Sequence, residues 1–282
     1  MVKLSFENLE HKILVAALIG DVIGQPHEFK SKPKEIYVDN PNLLKEDKEG
    51  FKYATWENFI GYYSDDFSQT LAVYNSIQNN LDFIKEIFLW KNGKYWINNI
   101  LYDIGSSTQK ALQYYSWHED IIVCDEYMNG NGSLMRISTI GLLDNYAEIY
   151  KNYTNITHNH EVSNDICLIY LNLVNSLKSG ISFNDWLEIN RDNKYLTQEV
   201  KLGTGYVISS LHTAIESIKN SNSFMEAVKN SIMYGNDTDT NGLITATIAG
   251  MLYDIEISEE WYEFIQFSLK SDYVKFLKYK VE

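Results

Sequence analysis

The stretch NDTDTNG has the residue types of a cation site. Asp237 and Asp239 are followed by the hydroxyl residue Thr240. Counted from Asp237, the stretch reads D-x-D-x-N-G, which is how an EF-hand calcium loop begins. Such a loop closes with a bidentate Glu at its twelfth position, where this chain has Ile248. The apolar residues that follow are spaced as in a helix. The sequence therefore predicts two aspartates at the start of a helix rather than a calcium loop.

A second acidic stretch, SDD, has a similar setting. Ser64, Asp65 and Asp66 stand directly before a run with helical spacing. One interpretation is a helix cap, since Ser and Asp accept hydrogen bonds from the free N–H groups of a first turn. A cap explains one acid better than two adjacent ones, which repel each other unless a cation lies between them.

Both acidic stretches offer oxygen ligands only, which favours Mg²⁺, Mn²⁺ or Ca²⁺ over zinc or copper. If the two stretches meet in space, they form a two-metal site with ions roughly 3.5–4 Å apart. The residues alone leave both alternatives open, two helix caps or one two-metal centre.

Three further segments carry candidate residues. The segment NGNGSLMRIS, residues 129–138, joins glycines to a helix predicted over SLMRISTIGLL and could present backbone N–H groups to a phosphate. Arg136 would either add charge there or pair with an acid. In ITHNH, His158 and His160 are interpreted as capping or core residues more readily than as ligands. Glu28 follows a Gly/Pro break and is either a general acid or base or a surface residue.

The composition limits the class of partner. A formal net charge of -14 argues against nucleic acid as the main partner, because the chain has no basic surplus to displace counterions. The two cysteines, Cys124 and Cys167, lack metal-ligand spacing and fit a reducing compartment. Asp21 interrupts the one apolar run that resembles a signal peptide, and no segment has the length of a membrane span. We expect a soluble, cytoplasmic protein that does not bind membranes.

The elements that must position these residues are predicted to be helices. All three prolines lie between Pro26 and Pro41, and apolar residues recur at three- and four-residue steps through most of the chain. Ser106 and Ser223 are predicted N-caps, and residues 29–63 are the one long irregular region. Since no linker or repeat divides the chain, we predict one all-α domain over residues 1–282.

Six motifs in order resemble the ADP-ribosylglycohydrolase family, which includes dinitrogenase-reductase-activating glycohydrolase. They are ALIGDVIGQPHEF, SDD, GNGSLMR, THNH, GTGYVISSLHTAI and GNDTDTNGLITATIAG, and they span residues 17–250. The resemblance implies an orthogonal bundle of helices that holds two Mg²⁺ or Mn²⁺ ions in a cleft for ADP-ribose.

The resemblance also assigns residues to roles. The implied metal ligands are Ser64, Asp65, Asp66, Asp237, Asp239 and Thr240. Asp66, Asp65 and Glu28 are the implied catalytic carboxylates, with Glu28 beside the scissile ribose. The residues implied to bind the nucleotide are Gly130, Asn131, Gly132, Ser133, Met135, His158, Gly205 and Tyr206.

The chain departs from the family pattern at three places: Ser64 where Thr is commoner, Phe67 where many relatives have Thr, and Asn236 where a second Gly is usual. Ser64 keeps the hydroxyl group of Thr. Phe67 and Asn236 are expected to change the pocket wall, and so to affect acceptor specificity more than metal binding.

The function implied is metal-dependent removal of ADP-ribose from a protein side chain, with arginine as the first expected acceptor. Serine-linked or other O-linked ADP-ribose is the alternative, as is an ADP-ribose-binding protein of the same fold without activity. A prenyl-diphosphate enzyme is disfavoured because Gln69 stands where the D-D-x-x-D motif has its third acid.

Overall fold

The structure, a computed structural model, describes residues 1–46, 61–122 and 128–282. Cys124 and most of the second half of the predicted irregular region lie outside the described residues. The described residues form three short strands, β1 (Val2–Phe6), β2 (Ile255–Ile257) and β3 (Tyr279–Val281). The α-helices, in chain order, are α1 (Leu9–Gly24), α2 (Glu35–Asp39), α3 (Asn42–Glu46), α4 (Asp65–Gln78), α5 (Phe83–Lys91), α6 (Ser106–His118), α7 (Tyr146–Ile149), α8 (Lys151–His158), α9 (Glu161–Lys178), α10 (Phe183–Ile189), α11 (Val207–Lys219), α12 (Phe224–Met233), α13 (Thr238–Leu252) and α14 (Glu259–Leu269).

The predicted all-α class is confirmed, with one small addition. β1 is the middle strand of a three-stranded antiparallel sheet, pairing Leu4 with Ile255 of β2 and with Val281 of β3. β1, VKLSF, does alternate apolar and polar residues, which is a strand signal, whereas β2 and β3 have three residues each and are too short to show one. Within the described ranges, no helix is long and apolar enough to cross a membrane.

Helix boundaries follow the sequence signals closely. Ser223 is the N-cap of α12, and its side chain accepts a hydrogen bond from the Glu226 N–H at 3.3 Å. The predicted cap at Ser106 is wrong by one residue, because Gly105 occupies the N-cap of α6 and Ser106 is the first helical residue. In the described part of the predicted irregular region, the chain forms the short helices α2 and α3.

The described chain contains two compact units. Unit 1 consists of Met1–Ser64 and Thr213–Glu282, and unit 2 consists of Asp65–His212. Each is described by itself below, and the single domain over residues 1–282 stays a prediction.

Unit 1 is built on α1 and α13, two almost wholly buried helices that touch backbone to backbone. A Cβ atom placed on Gly20 would lie 2.2 Å from the carbonyl oxygen of Gly242, and one on Gly24 would lie 2.2 Å from that of Thr238. Glycines therefore permit an approach that any side chain would prevent. At the other end of the pair, Gly250 lies against Ala16.

Unit 2 contains α4 to α10, in which α4 packs on α5 and α6 packs on α8. The helix predicted over SLMRISTIGLL is wrong. The chain forms two 3₁₀ segments instead, Asn131–Ser133 and Ser138–Leu142. The Met135 carbonyl, which a helix would pair with the Thr139 N–H, accepts the Thr70 hydroxyl at 3.4 Å. Side chains of α9 hold the end of the stretch: Asn175 donates to the Gly141 carbonyl at 3.0 Å, and Lys178 donates to the Leu142 carbonyl at 2.7 Å.

Candidate functional site

In unit 1, one acidic stretch starts α13, as the sequence predicts. Asp237 is the N-cap residue, and Asp239 lies in the first turn. Asp239 and Thr240 are buried. The Thr240 N–H donates to Asp239 Oδ1 at 2.9 Å, so this carboxylate already accepts one of the free donors of the first turn. The positive end of the helix dipole favours a carboxylate at this position.

Glu28 and Asp239 are brought together in unit 1. A carboxylate oxygen of Glu28 lies within 4.8 Å of one of Asp239. Two negative charges this close, one of them on a buried residue, repel each other unless a cation or a proton offsets them. Hard oxygen donors in this arrangement fit a divalent ion such as Mg²⁺ or Mn²⁺. The two carboxylates of unit 1 therefore have the donor atoms that the predicted metal site requires.

The backbone around Asp239 is fixed by the end of α1. The Thr238 hydroxyl donates to the Gly24 carbonyl at 2.7 Å, and a Cβ on Gly24 would lie 2.6 Å from the Asp239 Cα. The Phe29 N–H donates to the Asn236 carbonyl at 2.6 Å. Asn236 has a φ of 61°, in the left-handed region, where Asn is among the best non-glycine residues. Asn236, which stands where the family pattern usually has Gly, can therefore form the same turn.

Ser64 is held by a residue that the sequence did not single out as functional. The carboxylate of Asp21, fully buried on α1, accepts the Ser64 N–H with both oxygens, at 3.0 and 3.1 Å. In the sequence, Asp21 is only a charge that interrupts an apolar run. A hydrogen bond to a segment 43 residues away has no local signature, which explains why the role was missed.

The second acidic stretch lies partly in unit 2. Asp65 and Asp66 are in the first turn of α4 and are buried. Gln69, one turn later, donates its Nε2 to Asp65 Oδ2 at 3.1 Å, and the Gly105 N–H lies 3.5 Å from the same oxygen. Donors that hold a carboxylate in one orientation are typical of the shell around metal ligands. Phe67, the other departure from the family pattern, is fully buried.

The predicted nucleotide loop is tied to the start of α11. Gly130 and Tyr206 form an isolated antiparallel bridge, and the Asn131 N–H donates to the Gly205 carbonyl at 3.0 Å. The Asn131 side chain donates to Ser210 Oγ at 2.8 Å. Unit 2 therefore brings together two segments, 76 residues apart at the bridge, that were both predicted to bind the nucleotide.

Ser133 and Met135 point their side chains into unit 2. Ser133 Oγ lies 3.5 Å from the sulfur of Cys167 on α9, and Met135 is buried. Contacts from these two residues to a nucleotide would come from their backbone. Cys167 is a free, buried cysteine, and burial raises the pKa of its thiol to about 12.

His158 lies against the same glycine loop, at the last residue of α8. A Cβ on Gly132 would come within 2.7 Å of Cε1 and 3.0 Å of Nε2 of His158, so only glycine leaves room for the ring. Burial, followed by the positive charge of Arg136, lowers the pKa of His158 to about 3, and the ring is neutral at physiological pH. His160 is a capping residue, accepting the Val162 N–H at 3.1 Å, as expected.

Of the two interpretations of Arg136, the structure contradicts the pairing with an acid. Arg136 is fully buried and, among the described residues, its guanidinium bonds to no carboxylate. Its guanidinium donates to Gln69, to the Tyr153 carbonyl and to Thr157.

A sequence model of the ADP-ribosylglycohydrolase family matches residues 8–277. The chain belongs to the ADP-ribosylglycohydrolase family. Its members are hydrolases of a glycosidic bond.

Relatives of this ADP-ribosylglycohydrolase include two bacterial enzymes. The chain is 23% identical to the ADP-ribosylarginine hydrolase Tri1 of Pseudomonas putida (strain GB-1), over 90% of this chain and 73% of that protein. It is 21% identical to the ADP-ribosyl-[dinitrogen reductase] glycohydrolase of Rhodospirillum rubrum, over 84% of this chain and 83% of that protein. A solved structure, an ADP-ribosylglycohydrolase-related protein complex, has the same fold, with a TM-score of 0.71, 18% identity, and coverage of 96% of this chain and 98% of that one.

The six predicted metal ligands of this family member are divided between the units. Ser64, Asp237, Asp239 and Thr240 belong to unit 1, and Asp65 and Asp66 belong to unit 2. Three supporting residues, namely Asp21, Gln69 and Thr157, were not predicted as functional. Of these, only Gln69 had a readable signal, because a Gln four residues after an Asp on a helix can bond to it.

Proposed function

We propose that this ADP-ribosylglycohydrolase cleaves the bond between ADP-ribose and an arginine side chain of a modified protein, in a reaction that needs two divalent ions. The observation that carries the chemistry is the approach of the Glu28 and Asp239 carboxylates within 4.8 Å. The choice of arginine rests on the relative named ADP-ribosylarginine hydrolase. The presence of every acidic residue of the family pattern favours a hydrolase over a protein that only binds ADP-ribose.

Ser64, Asp65, Asp66, Asp237, Asp239 and Thr240 would hold the ions. Such ions lower the pKa of a bound water and orient sugar hydroxyls. The residues contribute hard oxygen atoms, and their positions at the starts of α4 and α13 let the helix dipoles stabilise the carboxylates in the absence of bound metal. Mg²⁺ and Mn²⁺ both suit this set of donors.

The chemical step would break the bond between the anomeric carbon and a guanidine nitrogen. Positive charge develops on the sugar as this bond breaks, and carboxylates nearby stabilise it. The water oxygen bonds to the anomeric carbon and gives up a proton, while the leaving nitrogen gains one. We assign these two proton transfers to the carboxylates Glu28, Asp65 and Asp66, the chain's general acid and base candidates. The products are free ADP-ribose and unmodified arginine.

Unit 2 would bind the nucleotide part. The loop from Gly130 to Ser133, with Met135, would line the diphosphate and ribose through backbone atoms. His158 would approach the same loop as a neutral ring, and Gly205 and Tyr206 would contact the nucleotide, with the Tyr206 ring as a stacking surface for adenine. The bridge between Gly130 and Tyr206 supports this proposal because it holds the two predicted segments side by side.

The partner would be an ADP-ribosylated protein, met in the cytoplasm. A reducing compartment suits the free thiol of Cys167.

The test measures free ADP-ribose released from arginine-ADP-ribosylated protein, with Mg²⁺, with Mn²⁺ and with EDTA. Serine-ADP-ribosylated protein is the parallel substrate. Release from the arginine substrate that EDTA abolishes is the expected result. Release only from the serine substrate would overturn the acceptor, and tight ADP-ribose binding without release from either would overturn the enzymatic role.

The substitution Asp239→Asn tests the assignment of Asp239 as a metal ligand. We expect it to reduce turnover by more than the roughly 10- to 100-fold that changes around a metal site's ligands cost. The matched control is Asp144→Asn, a highly exposed aspartate paired with Lys178, which should turn over like the wild type. Equal activity of the two variants would contradict the ligand assignment.

A further inference from the structure

Arg136 is a buried cation whose role is not explained by charge pairing. It is fully buried, and although burial lowers its pKa to about 10, it remains charged at neutral pH. Burying a charge without a carboxylate partner is costly unless hydrogen bonds replace its hydration. Its Cζ also lies 5.4 Å from the centre of the Phe83 ring. The hydrogen-bond partners of this buried guanidinium therefore indicate its role.

One arm of the guanidinium leads to Asp65. Nη1 of Arg136 donates to Oε1 of Gln69 at 2.7 Å, and Nε2 of the same amide donates to Asp65 at 3.1 Å. A guanidinium can only donate, so it fixes which end of the Gln69 amide faces it. The NH₂ group must then face the carboxylate. Arg136 thereby makes Gln69 a donor to Asp65.

The other arm leads to His158. Nη2 of Arg136 donates to Thr157 Oγ1 at 2.7 Å, and this hydroxyl lies 2.8 Å from Nδ1 of His158. A hydroxyl that accepts a bond from a cation is a stronger donor to its next neighbour. With Thr157 donating to Nδ1, the single proton of the neutral ring resides on Nε2. That nitrogen is the one beside Gly130 and Gly132.

The centre of the guanidinium is fixed by the backbone. Nε and Nη2 both donate to the carbonyl of Tyr153, at 3.1 and 2.7 Å. Because the group is planar, a fork bound to one carbonyl sets the direction of its remaining N–H groups. The two arms therefore start from one fixed point of α8.

We propose that Arg136 is a positioning residue with two arms, one orienting the metal ligand Asp65 through Gln69 and the other orienting His158 toward the diphosphate oxygens of ADP-ribose through Thr157. The assignment rests on the proposed function, since it takes Asp65 as a metal ligand and His158 as a nucleotide contact. It adds a single residue that prepares both the ion site and the nucleotide site.

The arms can be cut one at a time. Thr157→Val removes the hydroxyl that contacts His158 and should weaken ADP-ribose binding about 2- to 10-fold, the range for one hydrogen bond, with direct Mn²⁺ binding unchanged. Gln69→Met removes the donor to Asp65 and should weaken Mn²⁺ binding about 10- to 100-fold, with metal-free ADP-ribose binding unchanged. Arg136→Lys, which keeps the charge but loses the fork, should weaken both.

Three controls match these variants. Thr154→Val removes another buried hydroxyl of α8, one that donates to Asn164, and should change neither affinity. Gln78→Met makes the same change at the exposed end of α4 and should also have no effect. Thr157→Ser keeps the hydroxyl and should bind ADP-ribose like the wild type.

A spectroscopic readout tests the orientation of His158 without any ligand. Nitrogen NMR of ¹⁵N-histidine-labelled protein should show Nε2 of His158 protonated and Nδ1 unprotonated, and the Nδ1 signal should shift in Thr157→Val. The opposite tautomer in the wild type would overturn the His158 arm.

Failure of the proposed function and failure of the inference about Arg136 give different results. Wild-type protein that binds neither Mn²⁺ nor ADP-ribose would remove the proposed function itself. Wild-type protein that binds both, with a folded Arg136→Lys variant that also binds both normally, would overturn the inference alone. If Arg136→Lys does not fold, Thr157→Val and Gln69→Met still test the inference. Equal losses of Mn²⁺ affinity and ADP-ribose affinity in each of these two variants would contradict separate arms.

Discussion

The two units position their acidic residues by different physical means. In unit 1, Asp239 is placed by contact between the backbones of α1 and α13, made possible by Gly20, Gly24 and Gly242. In unit 2, Asp65 is oriented by side-chain hydrogen bonds that lead back to Arg136. Backbone contact leaves almost no room for adjustment, since interiors are packed to crystal density. A hydrogen-bonded network can be changed one bond at a time, at a cost of about 1 kcal/mol each.

The largest effect should come from Gly24→Ala in unit 1. Alanine usually stabilises a helix relative to glycine by about 1 kcal/mol. Here its Cβ would lie 2.2 Å from the Thr238 carbonyl and 2.6 Å from the Asp239 Cα. Overpacking against backbone should lower stability by about 1–3 kcal/mol. A shift of Asp239 by about 1 Å would reduce turnover on the order of 100-fold. Urea unfolding and the release of ADP-ribose measure the two losses.

Gly250→Ala is the matched control in the same helix pair. Its Cβ would lie 2.7 Å from that of Ala16, far along α13 from Asp239. We expect a similar loss of stability with turnover close to wild type. If both variants lost activity equally, the contact at Gly24 would have no special part in placing Asp239.

The difference between the units also explains what the sequence could predict. The helices, the starts of α4 and α13 and the motif order follow from residue types and spacings that are read locally. The stretch SLMRISTIGLL does not form the predicted helix, and its carbonyls accept hydrogen bonds from residues distant in sequence, Thr70 for Met135 and Asn175 for Gly141. Asp21 was missed for the same reason, since Ser64 gives no sign in the sequence of which acid will accept its N–H. Residues that act through one distant partner leave no periodic pattern.

Gly20 and Gly24 are residues whose role the sequence predicts only in part. Gly20 and Gly24, four residues apart, lie on one face of α1, a spacing that indicates close helix contact but does not name the partner helix. Only the structure shows that the partner is α13, through Gly242 and Thr238.

A second prediction, of intermediate size, concerns pH and the network of unit 2. The pKa of His158 is about 3 in the folded protein, against an ordinary value of 6.5. Below pH 6.5 the unfolded chain takes up a proton at this residue and the folded protein does not. Unfolding is therefore favoured as pH falls from 6.5 toward 3, by up to about 1.4 kcal/mol per pH unit. Above pH 6.5 both states are neutral here and the contribution vanishes.

His158→Gln tests this by removing the titrating group. The free energy of unfolding of the wild type should fall more steeply between pH 6 and pH 4 than that of the variant, a difference that urea titrations at several pH values will show. His27, also buried with a pKa lowered to about 3, contributes equally to both proteins and cancels in the comparison. Parallel curves would mean that His158 is not held neutral by its surroundings.

The smallest effect should come from a polar contact on the surface of unit 1. Lys229 Nζ lies 2.7 Å from Glu35 and 2.7 Å from Asp39, and all three side chains are partly exposed to solvent. Water already solvates these charges, so Lys229→Met should lower stability by only about 0.2–1 kcal/mol. The loss should shrink in ~1 M salt, where the screening length falls to ~3 Å. A loss that is larger, or unchanged by salt, would show that unit 1 also depends on charged side chains. The contrast with the glycine-built contact of α1 and α13 would then no longer hold.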